Sequence, residues 1–228
     1  MKEPLMRSSE SIMEEIRVRM DKVDGVDRAV ELLNEVVART DGPTWGEAKL
    51  RLATIVSWVA DYECSAQLAN EVVTGPRDLV SDAVRAVAAI SMAVSHWELG
   101  RDCDLVLLER SVRTALAANE LEYGALGLRI LGDFLEQQGD KTAARRAFEE
   151  SASIDEQHGW VCAAATTLRR LACLEHEAGE SQHAIELLEH SVTLLHRHPL
   201  KQFDPVFLRL DEQESRTLID KIRRAEPS

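Results

Sequence analysis

The sequence is poor in aromatic residues, proline and glycine. Of its 228 residues only 4% are aromatic, and it contains 6 prolines and 11 glycines. A β-sandwich or β-barrel needs more turn residues and more aromatic or β-branched runs than this composition supplies. Because 45% of the residues are apolar, the chain can still form a buried core, so the composition favours a folded and largely helical protein.

Basic residues and long apolar runs are also scarce. The 27 Lys and Arg residues are outnumbered by 40 Asp and Glu residues, which gives a net charge of −13. This balance argues against a nucleic-acid partner, because affinity for phosphates comes mainly from Lys and Arg. The sequence contains no run of 18 apolar residues, which is about the length that spans a membrane. Its first ten residues lack the apolar core of a signal peptide. We therefore expect a cytoplasmic protein that binds neither nucleic acid nor membrane.

Neither the cysteines nor any motif indicates a reaction or a cofactor. The four cysteines form no C-x-x-C pair, and we interpret them as small apolar residues of helices. Phosphate-loop, dinucleotide-binding, nucleophile-elbow and zinc-protease motifs are missing. His183, Glu186 and His190 are spaced to share one helix face, but their place in the repeat described next predicts solvent exposure instead of metal binding. The expectation is a protein without enzyme activity, cofactor or metal.

A repeat of about 40 residues is the strongest pattern in the chain. Residues 131–151 align with residues 171–191, with Ala144 above Ala184 and Ser151 above Ser191. Between the predicted helices stands a turn landmark, a glycine or aspartate that suits positive φ or a helix cap. This landmark recurs in steps of 37 to 40 residues at Asp24, Asp61, Gly100, Gly139 and Gly179.

Small residues recur at one position in the first helix of each repeat, where they let two helices approach closely. This ladder consists of Thr54, Ala93, Gly132 and Ala172. A second ladder, in the following helix, consists of Ala29, Ala66, Ala144 and Ala184, with Leu105 as the exception. Together with apolar residues at three- and four-residue spacing, the ladders predict one domain of five antiparallel helix pairs. The pairs are expected at residues 11–40, 44–75, 78–117, 121–155 and 158–197, followed by a capping helix at 205–225.

The pattern around Leu131, Gly132, Ala144 and Phe148 resembles the tetratricopeptide repeat (TPR) family. The resemblance implies an all-α fold, a right-handed α-solenoid of helix pairs. The repeats are longer than the family's usual 34 residues and are similar to the helical-repeat domains of some bacterial transcription regulators and signalling ATPases. The resemblance also implies a binding surface on the concave side, which the first helix of each pair would line.

Counting from the first ladder assigns residues to this concave groove. Its N-terminal part is predicted to be apolar, with two tryptophans in one column, and its C-terminal part is predicted to be polar. Tryptophan often anchors a partner, and arginine can hold a carboxylate through two hydrogen bonds. Ordinary packing of the tryptophans and surface ion pairing of the arginines are the alternatives. The predicted groove residues are Arg51, Ile55, Trp58, Ile90, Val94, Trp97, Arg129, Asp133, Glu136, Arg169, Arg170 and His176.

Three functions are compatible with this pattern. The first is a non-catalytic scaffold or adaptor that binds a protein or peptide segment, either acidic or ending in a free carboxylate. The second is a regulatory module that responds to a peptide or small molecule. The third is an enzyme with a pocket at Trp97, Glu136 and His176. Homodimerisation through the last helix is a further possibility that the sequence leaves open.

Overall fold

The computed structural model describes residues 26–39, 44–58, 60–197 and 205–225. Within these ranges the chain forms ten helices and no strand. None of these helices is long and apolar enough to cross a membrane. The helices are α1 (Val26–Arg39), α2 (Thr44–Trp58), α3 (Tyr62–Thr74), α4 (Asp82–Glu98), α5 (Leu105–Ala117), α6 (Leu121–Gln137), α7 (Lys141–Gln157), α8 (Val161–Glu177), α9 (Ser181–Arg197) and α10 (Pro205–Ala225).

The predicted all-α repeat fold is confirmed. Short turns join the helices, so that neighbours in sequence form antiparallel pairs. We call the first helix of each pair an A helix (α2, α4, α6 and α8) and the second a B helix (α3, α5, α7 and α9). The first half of the predicted pair at 11–40 lies outside the described residues, and α1 forms its second half.

The described residues fall into two compact units. The N-terminal unit ends at Tyr123, and the C-terminal unit begins at Gly124. In the N-terminal unit, α1 packs against α2 through a buried cluster of Leu32, Leu33, Val36, Ala48, Leu52 and Ile55. A second cluster of this unit joins α2, α3 and α4 through Leu50, Val72, Val80, Val87 and Ala88.

The turns between A and B helices correct the predicted register. Ala60, Gly100, Gly139 and Gly179 all have positive φ, between 61° and 89°. Asp61 is not the equivalent of these glycines, because it caps α3 by accepting a hydrogen bond from the Cys64 backbone N–H at 3.1 Å. The landmark therefore lies one residue earlier, at Ala60, and the small-residue ladder of α2 passes through the buried Ala53 instead of Thr54.

The exception at Leu105 comes from a longer turn. In α7 the cap Asp140 directly follows Gly139, whereas in α5 the cap is Asp104, four residues after Gly100. Three inserted residues, 101–103, thus displace the start of α5. Leu108, which is 1% exposed, occupies the buried position that Ala144 holds in α7.

Close packing in the C-terminal unit explains the glycine in its small-residue ladder. A Cβ atom at Gly132 would lie 2.5 Å from Cε1 of Phe148, which is too close for two carbon atoms. Phe148 is fully buried and packs with Ala144, Leu171 and Leu174. Gly132 is therefore required by the size of Phe148 and not by backbone conformation.

The predicted capping helix is confirmed as α10. Its Ile219 and Ile222 are buried against Ala172, Ala184 and Leu188 of α8 and α9. Helix α10 thus covers the apolar surface of the last helix pair, as a terminal element of a repeat protein must.

Candidate functional site

Helices α2 and α4 of the N-terminal unit present one exposed face, which we call the A-helix face. On α2, Glu47 and Trp58 are exposed and Arg51 and Thr54 are partly exposed, and these four residues are three or four positions apart and so form one stripe. On α4, Ser91 and Val94 are partly exposed. Because α2 packs against α4, their stripes lie side by side.

Two predicted groove residues do not belong to this face. Ile55 is 2% exposed and Ile90 is fully buried, so both pack in the core. For Ile55 the reason is the shift of one residue in register, which turns a side chain by about 100° around the helix. Ile90 lies at the expected register, but its side chain is buried.

Arg51 lies beside a pair of hydroxyl groups. Thr54 donates its hydroxyl hydrogen to the Leu50 carbonyl at 3.0 Å, and its side chain is also hydrogen-bonded to the Tyr123 hydroxyl. Burial raises the pKa of Tyr123, and the hydrogen bond with Thr54 and the charge of Arg51 act in the opposite direction. No carboxylate of the described residues is ion-paired with Arg51, even though Glu47 lies one turn away on α2.

The four tryptophans occupy different environments. Trp45 packs against the core of the N-terminal unit with the Lys49 ammonium 4.6 Å from its ring centroid, and Trp160 stacks on His158. Trp97 is partly buried, whereas Trp58 is 63% exposed. In the corrected register Ser57, not Trp58, is the equivalent of Trp97. The predicted column of two tryptophans is therefore corrected, and Trp58 stands alone as an exposed indole.

The predicted groove arginines of the C-terminal unit lie close to carboxylates. Nε of Arg170 lies 3.6 Å from Oδ1 of Asp133, and Nη1 of Arg169 lies 3.1 Å from Oε2 of Glu214 on α10. Burial lowers the pKa of Arg129, and the charges of Asp155 and Asp133 oppose that change. Both of these aspartates are 2% exposed. The arginines and carboxylates thus neutralise one another within the unit.

Glu136 and His176 have different surroundings in the C-terminal unit. Burial and then the charge of Glu177 raise the pKa of Glu136, and Nδ1 of His176 lies 3.2 Å from Oγ of Ser181. Clefts of about 360 to 450 Å³ open along α10 and between α7 and α8, and neither residue lines them. In the described part of the chain, no three His, Cys, Asp or Glu side chains are grouped to hold a metal.

Burial raises the pKa of three cysteine thiols. Burial and the neighbouring Asp104 raise the pKa of Cys103 to about 11, and burial also raises the pKa of Cys64 and of Cys173. A nucleophilic cysteine needs the opposite shift, because the thiolate is the reactive species. These environments fit the interpretation of the cysteines as packing residues.

Comparison with known proteins agrees with the helical-repeat architecture. No protein-family model matches the chain, and no curated protein matches it in sequence. Among solved structures, BtubC (BKLC) from P. vanneervenii superposes with a TM-score of 0.61 at 14% identity, over 96% of this chain and 94% of its own. TPR-like repeats of a putative kinesin light chain from Podosopora anserina give 0.57 at 18% identity, over 82% of this chain and 96% of theirs.

A third similar structure is a larger protein. A signal transduction ATPase with numerous domains (STAND) and a tetratricopeptide repeat sensor, from Pyrococcus horikoshii, superposes with a TM-score of 0.69 at 13% identity. The match covers 96% of this chain and 33% of the ATPase chain. At such low identities the likeness is one of fold, and the chain has the TPR-like fold that its repeat predicted.

Proposed function

We propose that the protein is a non-catalytic module that binds a protein or peptide segment on the A-helix face of the N-terminal unit. The TPR-like fold supports this class of function, since its repeats stack to expose an extended surface of A helices. Within that surface we assign recognition to Arg51, Thr54, Val94, Trp97 and Tyr123.

The environment of Arg51 carries the proposal. Arg51 is a partly buried residue whose charge acts on the Tyr123 hydroxyl, and no described carboxylate is ion-paired with it. A partly buried guanidinium without a counter-charge favours a ligand that supplies one, because a carboxylate can accept two of its N–H groups together. We therefore propose a free C-terminal carboxylate or an acidic side chain as the group bound there.

The predicted groove arginines of the C-terminal unit are less suitable for the same ligand. A carboxylate that binds Arg169 or Arg170 must share the guanidinium with Glu214 or Asp133, or displace that residue. Displacing Asp133 would leave a buried carboxylate without its partner, which is costly. Arg51 requires no such exchange.

Selection from a random peptide library with free C-termini tests the proposal, followed by affinity measurement on the selected peptides by fluorescence anisotropy. We expect Arg51→Ala to weaken binding by roughly tenfold or more, as loss of a charge-assisted bidentate contact does. Amidation of the peptide C-terminus should produce a similar loss if the bound group is the terminal carboxylate.

Arg110→Ala is the matched control, because Arg110 is an exposed arginine of α5 in the same unit. The Arg110→Ala variant should bind the selected peptides with the same affinity as the unchanged protein. If Arg51→Ala and Arg110→Ala weaken peptide binding equally, the loss comes from the change in net charge, and the assignment of carboxylate binding to Arg51 is overturned.

A ligand-responsive regulatory module is the second candidate. The observation that favours it is the match to the STAND protein with a TPR sensor, of which this chain covers 33%. Small-angle X-ray scattering with and without a selected peptide tests this role. A regulatory module should change its radius of gyration on binding, whereas a rigid scaffold should keep the same curve.

A further inference from the structure

Two large apolar side chains lie exposed at one edge of the N-terminal unit. Trp58 is the last residue of α2 and is 63% exposed, and Val106 is the second residue of α5 and is 76% exposed. An A helix ends and a B helix begins at the turn that joins them, so both side chains lie at the edge that carries these turns. We call the described residues 56–58, 60–66 and 96–107 of this edge the turn edge.

The turn edge is also acidic. The described ionised side chains in its two segments are five carboxylates and one guanidinium, namely Asp61, Glu63, Glu98, Asp102, Asp104 and Arg101. Arg101 pairs with Glu63 at 2.7 Å, which links the turn after α4 to the start of α3. Asp61 and Asp104 cap helices through backbone N–H groups. Glu98 and Asp102 are exposed and form no ion pair with a described residue.

The corresponding edge of the C-terminal unit lacks the apolar component. It has a similar ion pair, since Nζ of Lys141 lies 2.9 Å from Oε2 of Glu177. Among the described residues, however, Trp58 and Val106 are the large apolar side chains left exposed, and both belong to the N-terminal unit. The combination of exposed apolar and acidic groups is therefore a property of one edge and not of the repeat.

We propose that the turn edge of the N-terminal unit binds a basic protein segment that carries apolar side chains. Trp58 and Val106 would pack against the apolar side chains, and Glu98 and Asp102 would attract the Lys and Arg residues between them. An exposed tryptophan is the residue type most often found as an energetic anchor of an interface. Acidic residues around it favour a basic partner and speed its approach.

The size of the surface indicates the length of the partner segment. Adjacent helices lie about 8–10 Å apart, and α2 and α5 both contact α4, so the helices of Trp58 and Val106 are at most about two such spacings, or roughly 20 Å, apart. An extended chain covers this distance with about six residues. Glu98 and Asp102 attract a partner whose charge is opposite to that of the group bound by Arg51, so the two proposals concern different ligands, although Trp97 belongs to both surfaces.

Binding of a labelled peptide tests the proposal. The probe is a peptide of about ten residues in which lysines alternate with pairs of leucines, and its comparison peptides replace either the lysines by glutamates or the leucines by serines. We expect the full-length protein to bind the first peptide and neither of the others. Trp58→Ala combined with Val106→Ser should weaken binding by about tenfold or more. The circular-dichroism melting curve should stay unchanged, since both side chains are exposed.

Matched charge variants separate the turn edge from general acidity. Glu98→Gln with Asp102→Asn removes two exposed carboxylates from the edge, and Glu149→Gln with Glu150→Gln removes two from α7 of the C-terminal unit. The variant with Glu98→Gln and Asp102→Asn should bind the basic peptide less tightly, and its affinity should depend less on salt concentration. The variant with Glu149→Gln and Glu150→Gln should bind the peptide almost as tightly as the unchanged protein. Equal effects of the two pairs, absence of binding, or binding unaffected by the Trp58 and Val106 changes would each overturn the proposal.

Arg51→Ala distinguishes this proposal from the carboxylate site. It should leave the affinity for the basic peptide unchanged while abolishing capture of carboxylate peptides. Failure of the carboxylate site would therefore not affect the result at the turn edge, and the reverse also holds. Light scattering during the titration detects self-association through the same edge. If the protein forms dimers without peptide and Trp58→Ala prevents them, the partner of the turn edge is a second copy of the chain and the proposal of a basic segment is overturned.

Discussion

In the C-terminal unit the predicted groove arginines lie near carboxylates of the same unit, whereas in the N-terminal unit Arg51 lies beside hydroxyl groups without an ion pair to a described carboxylate. The same residue type thus serves different purposes in the two units. A neutralised, partly buried arginine holds helices together, and an arginine without a counter-charge is available to a ligand. This difference is the reason why we propose recognition for the N-terminal unit and internal pairing for the C-terminal unit.

Removing a buried charge from the C-terminal unit should have the largest effect on stability. Asp155→Ala leaves the Arg129 guanidinium in a desolvated site without its main counter-charge, and we expect the free energy of unfolding to fall by about 3–5 kcal/mol. Arg51→Ala should change it by less than about 0.5 kcal/mol. Urea unfolding followed by circular dichroism measures both, and comparable losses would remove the distinction between the units.

Filling the glycine position of the C-terminal unit should have the next largest effect. Gly132→Ala forces a Cβ against Phe148, so we expect a loss of about 1–3 kcal/mol from overpacking. Alanine stands at the equivalent positions Ala53 and Ala93 of the N-terminal unit. In a thermal-denaturation cycle with Phe148→Leu, the double variant should lose less than the sum of the single variants. Additive losses would show that Phe148 is not what excludes alanine.

Exchanging turn residues between the units should change stability in opposite directions. Ala60 has a φ of 61°, which disfavours a residue with a Cβ, and Gly139 has a φ of 85°. We expect Ala60→Gly to stabilise the protein and Gly139→Ala to destabilise it, each by about 1 kcal/mol. The midpoints of thermal unfolding check both values. Destabilisation by Ala60→Gly would contradict the corrected register.

The ion pairs at the two turn edges should matter least for stability. The Arg101–Glu63 and Lys141–Glu177 pairs are exposed, so Arg101→Ala and Lys141→Ala should each cost less than about 0.5 kcal/mol. Their effects on the basic peptide should differ, because only Arg101 lies within the proposed binding surface. Arg101→Ala should increase affinity by roughly twofold and Lys141→Ala should not change it, as measured by anisotropy at low salt.

The sequence predicted the fold because the repeat signal depends on local properties. Glycines in turns and small residues at helix contacts recur wherever two helices meet closely, and Gly139 and Gly179 provided a clear register for the C-terminal unit. The N-terminal register failed at Ala60, because alanine rarely adopts positive φ and so gives no signal. The inserted residues 101–103 gave no sequence signal either. Leu105 is apolar, like the alanine expected at that position of the second ladder, so the pattern did not indicate that the helix starts later.

The site residues were harder to predict than the fold. A shift of one residue moved Ile55 into the core and exposed Thr54 in its place. The charge network could not be inferred from helical spacing, because Arg129 and Asp155, like Asp133 and Arg170, lie on different helices. Tyr123 and Val106 had no distinctive signal, since their roles depend on a contact with Thr54 and on exposure at a turn.

Amide chemical-shift mapping of the full-length protein tests the central claim most directly. The ¹⁵N-labelled chain is titrated with a selected carboxylate peptide and, separately, with the basic peptide. The N-terminal unit should respond in both titrations, around Arg51, Thr54 and Tyr123 in the first and around Trp58 and Val106 in the second. Shifts concentrated at Asp133, Arg169 and Arg170, with the N-terminal unit unchanged, would contradict the assignment of recognition to the N-terminal unit.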